Sequence, residues 1–166
     1  MTTPNLLAIL NLSADSFFNG GKFAAADRQT ADKLGEYLKT LLRHDIVWVD
    51  IGLESSNPFG RAVTIDEQIR KLDWFFEVSA GLGMQFSIDT SQPRVFRHAL
   101  SKGARLLNDI RALQDAELLS IAAEADCRVV LMHNRHAGRA RLDPSAYPTE
   151  MNTEDIDCLL YTSRCV

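Results

Sequence analysis

The sequence lacks any apolar run approaching the roughly 18 residues that span a bilayer. Residues 1–5 carry no positive charge ahead of the first apolar segment, so neither a membrane anchor nor a secretory leader is expected. Cysteine is scarce: Cys127, Cys158 and Cys165 are odd in number and irregularly spaced, which does not suit a disulfide scaffold. They fit a reducing compartment, and a cytoplasmic protein is expected. An excess of basic charge is also missing. Eighteen Lys and Arg against 22 Asp and Glu leave a net charge of −4, which argues against a nucleic-acid partner. No P-loop, Gly-x-Gly-x-x-Gly, Gly-x-Ser-x-Gly or Cys-x-x-Cys motif occurs, so a nucleophilic hydrolase and a Rossmann-type dinucleotide enzyme lose support. His133 and His136 stand three apart with no further ligand at a zinc-like spacing. The basic group Arg128, Arg135, Arg139 and Arg141 reads as a solvated loop rather than a nucleic-acid patch.

What is present is a rhythm. Five β-rich apolar segments, residues 7–11, Ile46–Gly52, Gln85–Thr90, Arg105–Ile110 and Arg128–Asn134, each end on residues able to hold a ligand. Helical patterns separate them. Ala24–His44 carries Leu34, Leu38, Leu41 and Leu42 on one side. Thr64 and Glu67 have capping-box spacing ahead of a helix through Ile65, Ile69, Leu72, Phe75 and Phe76, with Gly83 a natural stop. Pro93 suits the first turn of a third helix ending near Gly103, and Asp115 caps a fourth, Ala116–Ala125. Near-continuous apolar strands such as Ile46–Val49 and Val129–Met132 predict burial on both faces, as parallel sheets require. The order predicts a parallel α/β fold, either an open doubly wound sheet or five units of a (β/α)₈ barrel, which as a whole needs roughly 200 residues or more. Residues 136–148 read as a loop, residues 150–160 could begin a helix, and 158–166 carry no continuing pattern. That last stretch is expected to be a non-native or disordered tail.

The strand ends supply the candidate chemistry. Asn11 could coordinate a hard cation or hold a phosphate, or could simply cap a turn. The loop 13–21 is long for a strand-to-helix connection and offers Asp15, Ser16 and Phe17. Asp50 to Pro58 contains Ser55, Ser56 and Asn57, suited to an anion or to ordinary turn chemistry; Asp50 itself could be a structural acceptor. Asp89 could pair with a flat nitrogen-rich ring through two hydrogen bonds, or cap the helix near Pro93. Asn108 and Asp109 repeat that ambiguity on the next strand.

Taken together, Ile9–Phe17 with Gly20 and Gly21, Asp50–Ser56 with Pro58, Ser87–Thr90, Leu107–Ile110 and Val130–His133 resemble dihydropteroate synthase in order and spacing, over about residues 6–136. Ser56 to Pro58, Ile88 to Pro93 and Ala123 to Cys127 look closest to the mobile sulfonamide-resistant branch of that family. The resemblance implies a parallel (β/α)₈ TIM barrel, here as its first five βα units over residues 1–157. It implies a folate-pathway transferase that joins 4-aminobenzoate to 6-hydroxymethyl-7,8-dihydropterin pyrophosphate, with Mg²⁺ assistance and release of pyrophosphate. Carried over by motif, Asp89 and Asn108 would hold the pterin edge, with Ile110 and Met132 against its face. Asn11 would meet the Mg²⁺–pyrophosphate. Asp15 and Phe17 would shape the 4-aminobenzoate pocket, and Ser56 would stand beside it.

Such chemistry needs charge neutralisation and positioning rather than an enzymic nucleophile, in keeping with the missing covalent-catalysis motifs. The chain departs from the family at Ser13, Ala14 and Asn19, commonly Thr, Pro and Asp, and at Ser56-Asn57, often Thr-Arg. The family's later strands, with a further pterin-binding Asp, a Lys and an Arg/His anion site, are not in this sequence. The chain alone is therefore expected to be inactive, and a full-length parent to be a homodimer. Two other readings are a pterin-binding module of a corrinoid methyltransferase system and a non-catalytic interaction domain.

Overall fold

The computed structural model describes residues 6–12, 27–54 and 62–132. Five strands alternate with four helices: β1 (Leu7–Asn11), α1 (Arg28–Arg43), β2 (Trp48–Gly52), α2 (Ile65–Val78), β3 (Gln85–Asp89), α3 (Pro93–Ser101), β4 (Leu106–Asp109), α4 (Ala116–Glu124) and β5 (Arg128–Leu131). All four strand pairings are parallel, and the spatial order is β1-β2-β3-β4-β5. That order decides between the two architectures. A doubly wound sheet reverses direction once and carries helices on both faces. Right-handed crossovers that always step the same way put every helix on one face, as in a barrel wall.

Local chemistry sets the helix starts. Thr64 accepts from the Glu67 amide at 3.3 Å, and Glu67 accepts from the Thr64 amide at 3.0 Å, completing the capping box. Asp27 accepts from Thr30 N at 2.7 Å at the start of α1, and Asp115 accepts from the amides of Glu117 and Leu118. Pro93 opens α3, whose N-cap Gln92 makes no side-chain cap bond. Helix α2 stops at Val78, five residues before the expected Gly83, with Ser79 as its C-cap. Gly81 and Gly83 then both take positive φ on the way to β3.

The strands are shorter than the apolar runs suggest. Ile46 donates its amide to Leu41 O, closing the end of α1 rather than joining β2. Leu10, Val49, Ile51, Phe86, Ile88 and Leu107 face the helices and are buried with Leu34, Leu38, Leu72, Phe75, Phe96 and Leu118. Phe75, Phe76 and Phe86 meet edge to face, with centroids 5.3–5.7 Å apart.

The expectation of burial on both faces fails on the outer strands. Ile9 is 61% exposed and Val130 41%. Both lie on the face away from the helices, which no described residue covers. The apolar continuity of β1 and β5 thus suits a barrel interior, and among the described residues β1 and β5 are the two edges of the sheet.

Candidate active site

Strand register assembles the site. Asn11 pairs with Gly52, Gly52 with Asp89, Asp89 with Asn108, and Asn108 with Val130. Pleat alternation sends side chains at these positions to the face away from the helices. Asn11, Asp89 and Asn108 therefore form one polar row at the carboxyl ends of β1, β3 and β4. One layer below, Ile9, Asp50, Ser87, Leu106 and Arg128 form a second row by the same register. Deeper still, the Arg128 guanidinium lies 5.8 Å from the centre of the Trp48 ring, linking β5 to β2 beneath both rows.

Gly52 is the silent member of the upper row. A Cβ there would overlap Oδ1 of Asn11, so a glycine lets the Asn11 amide lie across β2. Gly52→Ala is expected to displace Asn11 and lower turnover by a full-length enzyme at least about tenfold, with a stability loss of about 1–2 kcal/mol. Steady-state kinetics and urea melts of the Ala variant check this, and wild-type kinetics would refute it. Lys71 of α2 also reaches this corner, donating to the carbonyl of Leu12 at 2.8 Å just past Asn11.

Asp89 caps nothing. Its carboxyl sits in a low-dielectric recess, and desolvation lifts its pKa from 3.8 to about 7, with the charges of Asp50 and Asp109 pushing the same way. Ionised in that recess, such a group is stabilised by anything that donates to it, which suits a ligand presenting two adjacent N–H groups.

Asp109, alternating to the helix side, is fully buried and resolves the Asn108/Asp109 ambiguity. It accepts from Ser91 Oγ at 2.5 Å, Arg111 N at 3.0 Å and Leu113 N at 2.8 Å. It ties the loops after β3 and β4 together, and holds Ala112 and Leu113 at φ of 54° and 55°, a left-handed pair that neither residue favours. Asn108 faces away from the helices, beside Asp89, and Asp109 is the staple.

Ile110 directly follows β4, and Met132 directly follows β5; both are partly buried at the mouth. Asp15, Phe17 and Ser56 lie outside the described residues, as do His133, His136 and the expected tail. Sequence reading underrated Asp50, Ser87 and Gly52. Their signal was parity: each stands at a position of the same alternation as Asp89, where a buried parallel strand would carry an apolar side chain.

Comparison with known proteins accords with this geometry. The family described as pterin binding enzyme matches residues 7–158. The chain belongs to the pterin-binding enzyme family. Relatives include a bifunctional folylpolyglutamate synthase/dihydropteroate synthase of Haloferax volcanii, described as probable, at 32% identity over 91% of this chain and 17% of its own length. A dihydropteroate synthase of Streptococcus pyogenes is 35% identical over 78% of this chain and 48% of its own length, and the type-2 dihydropteroate synthase of Escherichia coli is 31% identical over 81% and 48%. The chain thus spans about half the length of the single-function relatives.

Among solved structures, the Yersinia pestis dihydropteroate synthase in a sulfonamide complex aligns with a TM-score of 0.75 at 26% identity, over 97% of this chain and 55% of that one. The Xanthomonas albilineans dihydropteroate synthase with 4-aminobenzoic acid aligns at 0.65 and 30% identity, over 80% and 47%. These pterin-binding relatives are TIM barrels, and the five parallel strands are the corresponding part of that wall.

Proposed function

We propose that this chain is the first five βα units of a dihydropteroate synthase, joining 4-aminobenzoate to 6-hydroxymethyl-7,8-dihydropterin pyrophosphate and releasing pyrophosphate. The observation that carries this is the row formed by Asn11, Asp89 and Asn108 on one face at the strand ends. Asp89 would accept two N–H groups of the pterin edge, and Asn108 would hold the same edge one strand over. Ile110 and Met132, at the mouth beside that row, would pack on the ring face. Asp15, Phe17 and Ser56 would serve the 4-aminobenzoate side, by motif.

The donor set also fits Mg²⁺. Among the described residues no cluster of acidic or imidazole groups could hold a metal by itself. Mg²⁺ commonly takes one or two protein oxygens plus substrate phosphates and waters, a role Asn11 Oδ1 can fill. When bound, the ion would neutralise charge on the leaving pyrophosphate. The chain's own part would be to hold the pterin and orient its reacting carbon toward the amine.

The motif wording around Ser56, Asp89 and Cys127 supports placement near the mobile sulfonamide-resistant branch. Overall identity is similar for the type-2 relative and the Streptococcus enzyme, so only the wording carries that placement. A cytoplasmic, homodimeric full-length parent completes the proposal; among the described residues no helix is long and apolar enough to cross a membrane.

Calorimetric titration of the 166-residue chain with 6-hydroxymethylpterin tests the reading. Binding is expected, weakening about tenfold per pH unit below about 7 as Asp89 takes up its proton. Pyrophosphate with Mg²⁺ should raise the affinity further. Pterin binding indifferent to pyrophosphate and Mg²⁺ would favour the methyltransferase-type module, and no ligand-induced stabilisation at all would favour an interaction domain. No turnover is expected, because the five described strands leave the pocket open to water on one side. Formation of dihydropteroate by the isolated chain would reverse that expectation.

A further inference from the structure

Beneath the upper polar row lies a set of hydrogen bonds centred on Asp50. Asp50 is buried, 4% exposed, on the middle of β2. Ser87 Oγ donates to its Oδ1 at 2.5 Å, and Asn108 Nδ2 donates to its Oδ2 at 2.9 Å. A carboxylate only accepts, so the Asn108 amide can meet it only through nitrogen. The amide oxygen of Asn108 is thereby turned away from Asp50. Ser87, fully buried, holds the carboxylate from the other side and keeps it from rotating.

An asparagine without such an anchor presents oxygen or nitrogen with nearly equal ease, and would accept ligand edges of either pattern. We propose that Asp50, held by Ser87, is a specificity-determining positioning residue that locks Asn108 with its carbonyl oxygen toward the pocket, so that the site selects a heterocycle edge offering N–H groups. This deepens the pterin reading and rests on it. With Asp89 also an acceptor, Asp89 and Asn108 turn two acceptors side by side toward that edge. A ring presenting lone pairs there would face two acceptors and be rejected.

The test is an exchange of side chains between the two positions, read with 6-hydroxymethylpterin as probe. Asp50→Leu removes the anchor and is expected to weaken binding about 10- to 100-fold. Asn108→Asp places two carboxylates face to face and should weaken it by at least as much. In the double variant D50N/N108D, the new amide at 50 donates to the new carboxylate at 108, which still offers oxygen to the pocket. Binding is expected to return to within about fivefold of wild type, a rescue that a purely structural Asp50 would not produce. A double variant no tighter than Asn108→Asp alone, or Asp50→Leu binding like wild type, overturns the proposal.

A second readout needs no ligand. The Asn108 side-chain NH₂, followed by NMR, should exchange with water at least about tenfold faster in Asp50→Leu than in wild type. Equal exchange rates would overturn the assignment of orientation. Failure of wild type to bind the pterin would instead strike the functional reading, leaving the exchange contrast to decide the role of Asp50.

Discussion

Replacing Asp89 by Asn is expected to make the protein more stable above neutral pH while abolishing pterin binding. The sign follows from the direction of the shift. Folding raises the Asp89 pKa from 3.8 to about 7, so between those values the folded chain binds a proton that the unfolded chain has released. Stability contributed by the neutral carboxyl is complete below the unfolded value and is lost as pH climbs through the folded one. The difference corresponds to at most about 4 kcal/mol. Asp89 retains contact with water, so about 2–3 kcal/mol is the expected gain for Asp89→Asn at pH 8.5, shrinking to near zero at pH 4. Urea melts of both proteins at the two pH values measure it, and a pH-independent difference would refute the assignment. Binding should fall at least about 100-fold, because an amide offers one acceptor where the ligand presents two donors. The site is held in a destabilised state that a ligand relieves.

Asp109→Ala carries the second large effect, with the opposite sign. Its carboxylate receives three hydrogen bonds, two from backbone amides of the β4–α4 turn and one from Ser91. Truncation leaves those amides with no acceptor and frees Ala112 and Leu113 from a conformation that costs of order 1 kcal/mol each. The lost bonds dominate, since hydrogen bonds to a buried charge contribute about 1.5–3 kcal/mol apiece before relaxation. A net loss of about 3 kcal/mol is expected, a large share of a typical domain's 5–15 kcal/mol. Because the turn carries Ile110, pterin affinity should fall as well. Equilibrium denaturation checks the first claim and pterin titration the second; a loss under about 1 kcal/mol would show that the turn is held by something other than Asp109.

Most of the architecture was legible because it is written in local chemistry. The capping box at Thr64 and Glu67, the Asp115 cap and the proline at the start of α3 are short-range features, and all four helices lie within the spans their patterns set, although α2 ends short of Gly83. Strand ends were less legible. The apolar run from Ile46 continues smoothly into β2, yet Ile46 belongs to the close of α1, a fact set by its bond to Leu41. At the site, Asn11, Asp89 and Asn108 were legible as polar groups ending apolar segments. Asp109 was not separable from Asn108, because adjacent residues in a strand differ only in which face they meet, and the helices decide that.

The amino-acid order alone determined the alternation of strand and helix, the polar strand ends and the resemblance of the motif set to pterin enzymes. Each of these is a matter of periodicity or short spacing along one chain. Only the tertiary structure decided the unreversed strand order, the register that brings Asn11, Asp89 and Asn108 into one row, and the lower tier in which Asp50 orients Asn108. Those depend on hydrogen bonds between residues as far as 58 positions apart, as from Asn108 to Asp50, and no local pattern encodes which strand lies beside which.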